Sequence, residues 1–216
     1  MKESEQTAIT VAEYLLQIKA IKLDIANPFT WTSGKRSPIY CDNRKTLSYP
    51  KIRTYIRQEF VNIINEEFAS VDVIAGVATA GIPHGVLVAQ DLGLPFVYVR
   101  SSQKKHGLEN TIEGVIESGQ SVVIVEDLVS TGKSSLNVAN VLRDAGCEVK
   151  GMVAIFSYGL KEAIDSFKKA KVSLITLTDY DTLIQQAVEG SYIKNGDIQS
   201  LALWRQDPDT WGNNLK

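Results

Sequence analysis

The first third of the chain has two stretches of helical periodicity with a turn-rich stretch between them. Residues 27–50, NPFTWTSGKRSPIYCDNRKTLSYP, are interrupted by prolines and a glycine, which predicts an irregular cap or a small β-structure. Residues 51–68 carry apolar side chains along one helical face and predict a helix. Residues 7–24 predict an earlier packing helix from their apolar positions: Ile9, Ala12, Leu15, Leu16, Ile18 and Leu23.

The pattern of apolar residues changes at residue 71. Short β-branched runs predict strands, namely VDVIAGV, PFVYVR, SVVIVED, VKGMVAIFS and VSLITL. Segments of helical composition at 81–92, 131–145 and 160–170 separate most of them, and such apolar strands are typical of a parallel sheet buried on both faces. The predicted fold class is therefore α/β, with a doubly wound parallel sheet and an N-terminal cap region. The polar end of the chain is expected to be loose beyond Trp204.

Composition and charge narrow the class of protein. The 216 residues are 44% hydrophobic and 22% charged, as in ordinary globular proteins, and the net charge of −2 argues against a surface for nucleic acid. No run approaches the ~18 apolar residues of a membrane span, and the N-terminus lacks a secretory signal. Cys41 and Cys147 have no metal-ligand spacing and are too few for a disulfide scaffold. We expect a cytoplasmic protein with no nucleic-acid or membrane partner.

The run VVIVEDLVSTGKSS, residues 122–135, contains the TGKS letters that end a nucleotide-binding P-loop. A P-loop needs its first glycine five positions before the second, so that backbone N–H groups can surround the phosphates. Asp127 occupies that position, and Glu126 adds a second negative charge. The triphosphate interpretation is therefore disfavoured.

The same run suits a different ligand. Two carboxylates at the end of a buried strand can accept hydrogen bonds from vicinal hydroxyls, and the loop that follows leads into a helix N-terminus, which favours a monophosphate. Together, Glu126, Asp127 and the loop at 128–134 predict a ribose 5-phosphate site at the carboxyl end of a strand. The alternative is that Asp127 and Ser130 only cap the helix.

Three segments resemble a known family. VVIVEDLVSTGKS resembles the ribose-phosphate signature of the type I phosphoribosyltransferases, whose donor is 5-phosphoribosyl 1-diphosphate. VYVRSSQKKHGLENTIEG, residues 97–114, is similar to the mobile catalytic loop of the orotate phosphoribosyltransferases, with Arg100, Lys104, His106, Gly107 and an Ile-Glu-Gly ending. The stretch from Phe29 to Pro50 resembles the substrate-covering N-terminal region of the same enzymes. The likeness extends over about residues 10–205.

The resemblance implies the fold, the reaction and the residues involved. One phosphoribosyltransferase domain would span 1–216, with an N-terminal helix and substrate-covering hood at 1–48, an α/β core at 49–205 and a polar tail at 206–216. The reaction would transfer the phosphoribosyl group to orotate and form orotidine 5′-monophosphate. The implied catalytic residues are Lys104, Arg100, His106 and Asp127. The implied donor-binding residues are Arg100, Lys104, His106, Glu126, Asp127, Leu128, Val129, Ser130, Thr131, Gly132, Lys133 and Ser134.

The resemblance also implies partners. Ser130 would contact orotate as well as the phosphate, and Mg²⁺ would be the cofactor, bound mainly through the diphosphate and water with no firm protein ligand. GVATAGIP, residues 76–83, would approach the diphosphate with its backbone. The loop at 101–111 would be a lid that reaches into a neighbouring subunit, which implies a homodimer with shared sites.

Some points stay open. Ser101 and Ala80 stand where many members of the family have lysines, so weaker donor binding is expected. Arg44 either pairs with the orotate carboxylate or forms a surface salt bridge. The alternative functions are a phosphoribosyltransferase for another base and a non-catalytic regulator that binds the donor.

Overall fold

The secondary structure follows the chain order expected of an α/β protein in the computed structural model, which describes residues 3–31, 34–100 and 111–214. The strands are β1 (Ile21–Leu23), β2 (Phe29–Thr30), β3 (Arg36–Ser37), β4 (Ile39–Cys41), β5 (Val73–Val77), β6 (Phe96–Val99), β7 (Ile112–Glu113), β8 (Ser121–Val129), β9 (Glu148–Ser157) and β10 (Leu174–Asp179). The α-helices are α1 (Glu3–Gln17), α2 (Pro50–Glu67), α3 (Gly81–Leu92), α4 (Lys133–Asp144), α5 (Lys161–Ala170), α6 (Tyr180–Glu189) and α7 (Ile198–Gln206). Short 3₁₀ helices cover Asn43–Ser48, Asn195–Asp197 and Trp211–Asn214.

The central sheet has six strands in the order β10-β9-β8-β5-β6-β7. Neighbouring strands from β10 to β6 are parallel, and β7 pairs antiparallel with β6 at the edge. Chain order reverses between β5 and β8, because β6 lies on one side of β5 while β8, β9 and β10 continue on the other. In open α/β sheets, ligands bind at the carboxyl ends of the strands at such a switch point.

Helices cover both faces of the sheet, which confirms the predicted doubly wound fold. Ile74 and Val123 belong to a hydrophobic cluster that includes residues of α1, α2, α3 and α6. Val73 and Val122, their neighbours in sequence, pack on the other face with residues of α4 and α5. Alternate residues of one strand point to opposite faces, so a strand buried on both sides reads as a continuous apolar run.

The N-terminal region differs from the predicted helix over 7–24. The helix ends at Gln17, Lys19 has a left-handed φ of 54°, and Ile21–Leu23 pairs antiparallel with Ile39–Cys41 as β1 and β4. The apolar residues of 20–23 therefore serve a strand rather than a last helical turn. We call residues 21–48 the hood: it contains this strand pair, the β2–β3 hairpin and the 3₁₀ helix before α2.

The C-terminal part contains helices that the sequence pattern did not reveal. Trp204 of α7 is fully buried, and the Tyr180 hydroxyl of α6 donates a hydrogen bond to the Leu201 carbonyl at 3.0 Å. The chain beyond Trp204 was expected to be loose, but α7 continues to Gln206 and a 3₁₀ helix forms at Trp211–Asn214. Within the described residues, no helix is both long and apolar enough to cross a membrane.

Candidate active site

The two loops predicted to bind the donor meet at the switch point of the sheet. One joins β5 to α3 and the other joins β8 to α4. The start of α3 packs closely against β8, since a Cβ atom added to Gly81 would lie 2.5 Å from the Val125 carbonyl oxygen. A glycine is therefore required where α3 begins. The loop before it contains a cis peptide bond between Ala78 and Thr79.

The two acids lie at the end of β8 in different environments. Glu126 is buried, with only 4% of its surface exposed, whereas Asp127 is half-buried. Glu126 Oε2 accepts a hydrogen bond from Ser135 Oγ at 2.9 Å, and Glu126 Oε1 accepts one from the Asp127 backbone N–H at 3.0 Å. Glu126 therefore ties the strand end to the first turn of α4, and Asp127 is the more accessible acid.

Burial controls the protonation of this pair. Burial raises the pKa of Glu126 well above its ordinary value, and the adjacent Asp127 charge raises it further. Burial also raises the pKa of Asp127, although its contact with Glu126 opposes that shift. Hydrogen-bond donors that take the place of solvent water would stabilise the ionised form of both acids, and ribose hydroxyls can act as such hydrogen-bond donors.

The loop after the acids presents a helix N-terminus. Gly132 precedes α4 with a left-handed φ of 79°, and a Cβ atom there would lie 2.7 Å from the Phe167 ring. Lys133 and Ser134, in the first turn of α4, are exposed. Backbone N–H groups of this turn and the helix dipole favour an anion. Asp127, at the position of a P-loop's first glycine, lies inside β8, which argues further against a P-loop.

Arg100 marks the base of the predicted catalytic loop. Its backbone N–H donates to the Thr111 carbonyl at 2.9 Å, and its guanidinium pairs with Glu113 of β7 at 3.3 Å. The two ends of the loop therefore meet at the edge of the sheet beside β6. Lys104, His106 and Ser101 lie outside the described residues.

A cleft of about 460 Å³ lies between the hood and the loop after β8. Ser130, which was predicted to contact both the phosphate and orotate, lines this cleft, and so does Thr131, which was predicted to bind the donor. Its other lining residues are Thr30, Trp31, Lys35, Tyr40, Cys41, Leu128 and Tyr158. Tyr40 of β4 lines the cleft, whereas its neighbour Ile39 is fully buried in the core.

Five cleft residues were not singled out from the sequence, namely Thr30, Trp31, Lys35, Cys41 and Tyr158. Trp31 and Lys35 lie in the turn-rich stretch, and the aromatic run FTW was the available signal for Trp31. Tyr158 follows β9 immediately, at the same edge of the sheet as the acids, so its position depends on the strand order.

Arg44 was left between two interpretations. Its Nε atom lies 2.6 Å from Asp42 Oδ1, its side chain is 65% exposed, and it is absent from the lining of the cleft. The Asp42 contact raises the pKa of Arg44 and lowers that of Asp42. This geometry supports the surface salt bridge.

A buried chain of polar contacts, which was not predicted from the sequence, connects the hood to the acids. Asn43 Nδ2 donates to the Asp127 carbonyl at 2.7 Å, and Cys41 Sγ lies 3.2 Å from Asn43 Oδ1. Thr46 Oγ1 donates to the Asn43 carbonyl at 2.6 Å and lies 3.3 Å from His84 Nε2. The hood and the donor loop are thus fixed to each other through Asn43.

His84 of α3 has a defined protonation state in this chain of contacts. Burial lowers the pKa of His84 to about 4, so the ring is neutral at physiological pH. Because the Thr46 hydroxyl proton is used towards Asn43, Thr46 Oγ1 accepts from His84 Nε2, which must carry the ring proton. His84 Nδ1 has no hydrogen-bond partner within the described part of the chain.

Comparisons with known proteins identify the family. Residues 47–187 match the model of the phosphoribosyl transferase domain. The chain is 57% identical over 200 residues to the orotate phosphoribosyltransferase of Phocaeicola vulgatus, covering 93% of this chain and 94% of that protein. It is 50% identical over 202 residues to that of Listeria monocytogenes, covering 94% and 97%.

Solved structures give the same result for the fold. Orotate phosphoribosyltransferase from Aeropyrum pernix superposes with a TM-score of 0.73 at 27% identity, covering 83% of this chain and 99% of that one. A phosphoribosyltransferase domain model matches well over half of the chain, and relatives at 50–57% identity cover nearly all of it. The chain therefore belongs to the orotate phosphoribosyltransferase family.

Proposed function

We propose that the protein transfers the 5-phosphoribosyl group from 5-phosphoribosyl 1-diphosphate to orotate, giving orotidine 5′-monophosphate and diphosphate in pyrimidine biosynthesis. The observation that carries this proposal is the arrangement at the switch point. There, an acid pair and a phosphate-type helix N-terminus adjoin a cleft covered by the aromatic residues of the hood. The relatives that bear the orotate phosphoribosyltransferase name supply the identity of the acceptor.

The described residues suggest how the donor is held. The ribose hydroxyls donate to Asp127 and Glu126, the 5-phosphate binds at the loop from Leu128 to Ser134, and the diphosphate lies towards the β5–α3 loop and Arg100. Burial strengthens the contacts to Glu126 and Asp127 because the local dielectric is low there. Ser130 and Thr131 line the cleft, which supports a 5-phosphate position beside the base site.

The chemistry is a displacement at C1 of the ribose. N1 of orotate forms the new bond as the bond to diphosphate breaks, and positive charge develops on the sugar in a loose transition state. The enzyme must stabilise the charge on the leaving diphosphate and exclude water. We assign the first task to Lys104, with Arg100 and His106 assisting, and the second to the hood and the loop at 101–111.

Mg²⁺ is proposed as the cofactor. Within the described residues, no group of three or more His, Cys, Asp or Glu side chains is placed to hold a metal ion. Asp127 and Glu126 are the acids of the proposed donor site, and the ion would be held mainly by diphosphate oxygens and water. When bound, the ion would neutralise negative charge on the diphosphate.

A panel of acceptor bases tests the proposal. With the donor and Mg²⁺ at fixed concentrations, orotate, uracil, adenine and hypoxanthine are compared by nucleotide formation. We expect product from orotate alone. Product from a purine would support the alternative of another acceptor, and donor binding with no product from any base would support the non-catalytic regulator.

We also propose a homodimer in which the loop at 101–111 of one subunit completes the site of the other. The support is the family resemblance together with Val115, an apolar side chain that follows β7, is 81% exposed and is available for burial against a partner. The two ends of the loop emerge at this edge of the sheet.

Subunit complementation gives a direct expectation. Lys104→Ala and Asp127→Asn are each expected to be nearly inactive, but co-refolded subunits should recover about a quarter of the wild-type rate, because half of the dimers then contain one intact site. Co-refolding Lys104→Ala with the double variant is the control, and it should recover nothing. Equal rates in both mixtures would rule out shared sites.

A cytoplasmic location is proposed as well. Its support is that both cysteines are free thiols, with Cys147 buried and Cys41 half-buried, as is usual in a reducing compartment. Fractionation of cells that express the tagged protein would test it.

The missing lysine at position 80 should matter for donor affinity. Ala80 immediately precedes α3, in the loop proposed to face the diphosphate. Introducing Ala80→Lys should tighten donor binding by about 1 kcal/mol, or roughly fivefold, as a charge near a protein surface commonly does. Direct titration of the donor measures this, with Lys introduced at exposed Asn140 of α4 as a charge-matched control. Equal dissociation constants for Ala80→Lys and wild type would contradict the prediction that Ala80 weakens donor binding.

A further inference from the structure

The β2–β3 hairpin of the hood is too small to be stable by itself. Its strands pair only Phe29 with Ser37 and Thr30 with Arg36, and the Trp31 N–H donates to the Lys35 carbonyl at 2.9 Å to close the turn. An isolated two-stranded hairpin is at best marginally stable in water. Yet this hairpin supplies Thr30, Trp31 and Lys35 to the lining of the cleft. Other contacts must therefore fix its position.

Trp31 fixes the inner side of the hairpin. Its indole N–H donates to the Ile39 carbonyl at 3.2 Å, and its ring packs 5.7 Å from the Tyr158 ring and 5.8 Å from that of Trp204. This anchor connects the hairpin to β4, to the end of β9 and to α7. The Trp31 contacts do not involve the outer strand, β3, so other residues must position that strand.

The C-terminal segment 207–214 is itself an ordered structure. The Asp207 carboxylate accepts hydrogen bonds from the Asp209 and Thr210 backbone N–H groups, both at 3.2 Å, and from Thr210 Oγ1 at 2.6 Å. The Thr210 hydroxyl contact lowers the pKa of Asp207. The Trp211 indole then donates to Ser200 Oγ at 3.3 Å and packs against the core. The segment is thus fastened to α7.

This segment contacts the outer side of the hairpin at two points. The Lys35 ammonium forms a salt bridge with the Asp209 carboxylate. Gly212 lies against Arg36 of β3 so closely that a Cβ atom at position 212 would be 2.6 Å from the Arg36 Cβ. The two contacts involve adjacent residues, Lys35 just before β3 and Arg36 within it, so the segment lies against the start of β3.

We propose that residues 207–214 form a strap that positions the hairpin over the acceptor part of the cleft. Asp209 and Gly212 are its positioning residues: they act through Lys35 and Arg36 and touch no reacting atom. The strap should affect binding of the acceptor base and not binding of the phosphoribosyl donor, because the residues proposed to bind the donor lie on β8, α4 and the β5–α3 loop. This assignment rests on the proposed function for the identity of the acceptor.

The test compares variants of the full-length chain. Asp209→Asn removes the salt bridge, and Gly212→Val places side-chain atoms where Arg36 lies. The matched control is Asp165→Asn, which removes the Lys161–Asp165 salt bridge on α5, away from the cleft. We expect KM for orotate to rise roughly two- to fivefold in Asp209→Asn, the range for a lost surface ion pair, and further in Gly212→Val. We expect kcat and the affinity for the phosphoribosyl donor to change less than twofold in both strap variants. In the control Asp165→Asn, these quantities and KM for orotate should all change less than twofold.

A second readout does not depend on activity. Hydrogen exchange at the backbone amides of residues 29–37 should accelerate in both strap variants and not in Asp165→Asn, while exchange in β8 stays at the wild-type rate. Unchanged exchange at 29–37 together with an unchanged KM for orotate would overturn the proposal. If the wild-type protein does not consume orotate, the proposed function fails, and the exchange measurement still decides whether the strap holds the hairpin.

Discussion

Replacing Lys104 with alanine is expected to lower kcat for orotate consumption by roughly two to three orders of magnitude. Removing one preorganised group that stabilises developing charge typically costs about 3–4 kcal/mol of transition-state stabilisation. Lys104 follows Arg100 by four positions in the loop that the described residues anchor at both ends, through Arg100 and Thr111. The negative charge that Lys104 stabilises is greatest in the transition state, as diphosphate leaves. The loss of Lys104 should therefore lower kcat much more than it lowers the affinity for the phosphoribosyl donor.

Lys105→Ala is the matched control for this change. It removes the same charge one position away, so a general loss of positive potential would affect both variants alike. We expect Lys105→Ala to lower kcat by less than about tenfold. Steady-state rates and donor dissociation constants for both variants decide the matter. Equal losses in kcat, or a loss confined to donor affinity, would contradict the role given to Lys104.

Glu126→Gln is expected to stabilise the protein while weakening donor binding. The amide oxygen can still accept from the Asp127 N–H, and the amide NH₂ can donate to Ser135 Oγ, so both contacts within the protein survive. The negative charge is lost, and hydrogen bonds to charged groups contribute about 1.5–3 kcal/mol, so donor affinity should fall roughly tenfold to a hundredfold.

The stability gain has a definite pH dependence. Burial raises the pKa of Glu126 above its ordinary value of 4.5, so the folded state binds the proton more tightly than the unfolded state does. The favourable contribution of protonated Glu126 is fully present below the unfolded pKa and is lost as pH rises through the folded pKa. The gain from glutamine is therefore largest at high pH, shrinks as pH falls through the folded pKa, and vanishes below about 4.5.

Thermal unfolding of the free protein measures this effect. Each kcal/mol recovered should raise Tm by roughly 2–4 °C for a chain of this size. Glu59→Gln is the control, because Glu59 also accepts a hydroxyl hydrogen bond, from Thr7 Oγ1 at 2.9 Å, but lies on α2 away from the site. A Tm for Glu126→Gln that is lower than wild type at pH 8 would show that the acid stabilises the fold in its charged form.

The local pattern of apolar residues predicted the helices and strands of the core well, and those of the N-terminal and C-terminal regions poorly. The strands from β5 to β10 are apolar because both faces of the sheet are covered, so their sequence alone identifies them, except for the two-residue edge strand β7. The helix α3 was predicted at 81–92 and found at Gly81–Leu92. By contrast, the apolar residues at 20–23 continue a helical period by chance, and only their pairing with β4 shows that they form a strand.

The site divides in the same way. Glu126, Asp127 and the loop at 128–134 are contiguous, so a short motif was enough to predict a ribose-phosphate site. The cleft is different, because Trp31, Lys35 and Tyr158 come from distant parts of the chain and meet only through the strand order and the hood. Asn43 likewise reaches the Asp127 carbonyl across 84 positions of sequence, which no local spacing can indicate.

Orotate absorbance tests the central claim most directly. Orotate, 5-phosphoribosyl 1-diphosphate and Mg²⁺ are mixed with the protein, and each component is omitted in turn while diphosphate release is followed in parallel. The account predicts a fall in orotate absorbance only when all three are present, with one diphosphate released for each orotate consumed. Unchanged orotate in the complete mixture, with the donor shown to bind, would contradict the proposed reaction and leave a ribose-phosphate site with another acceptor or none.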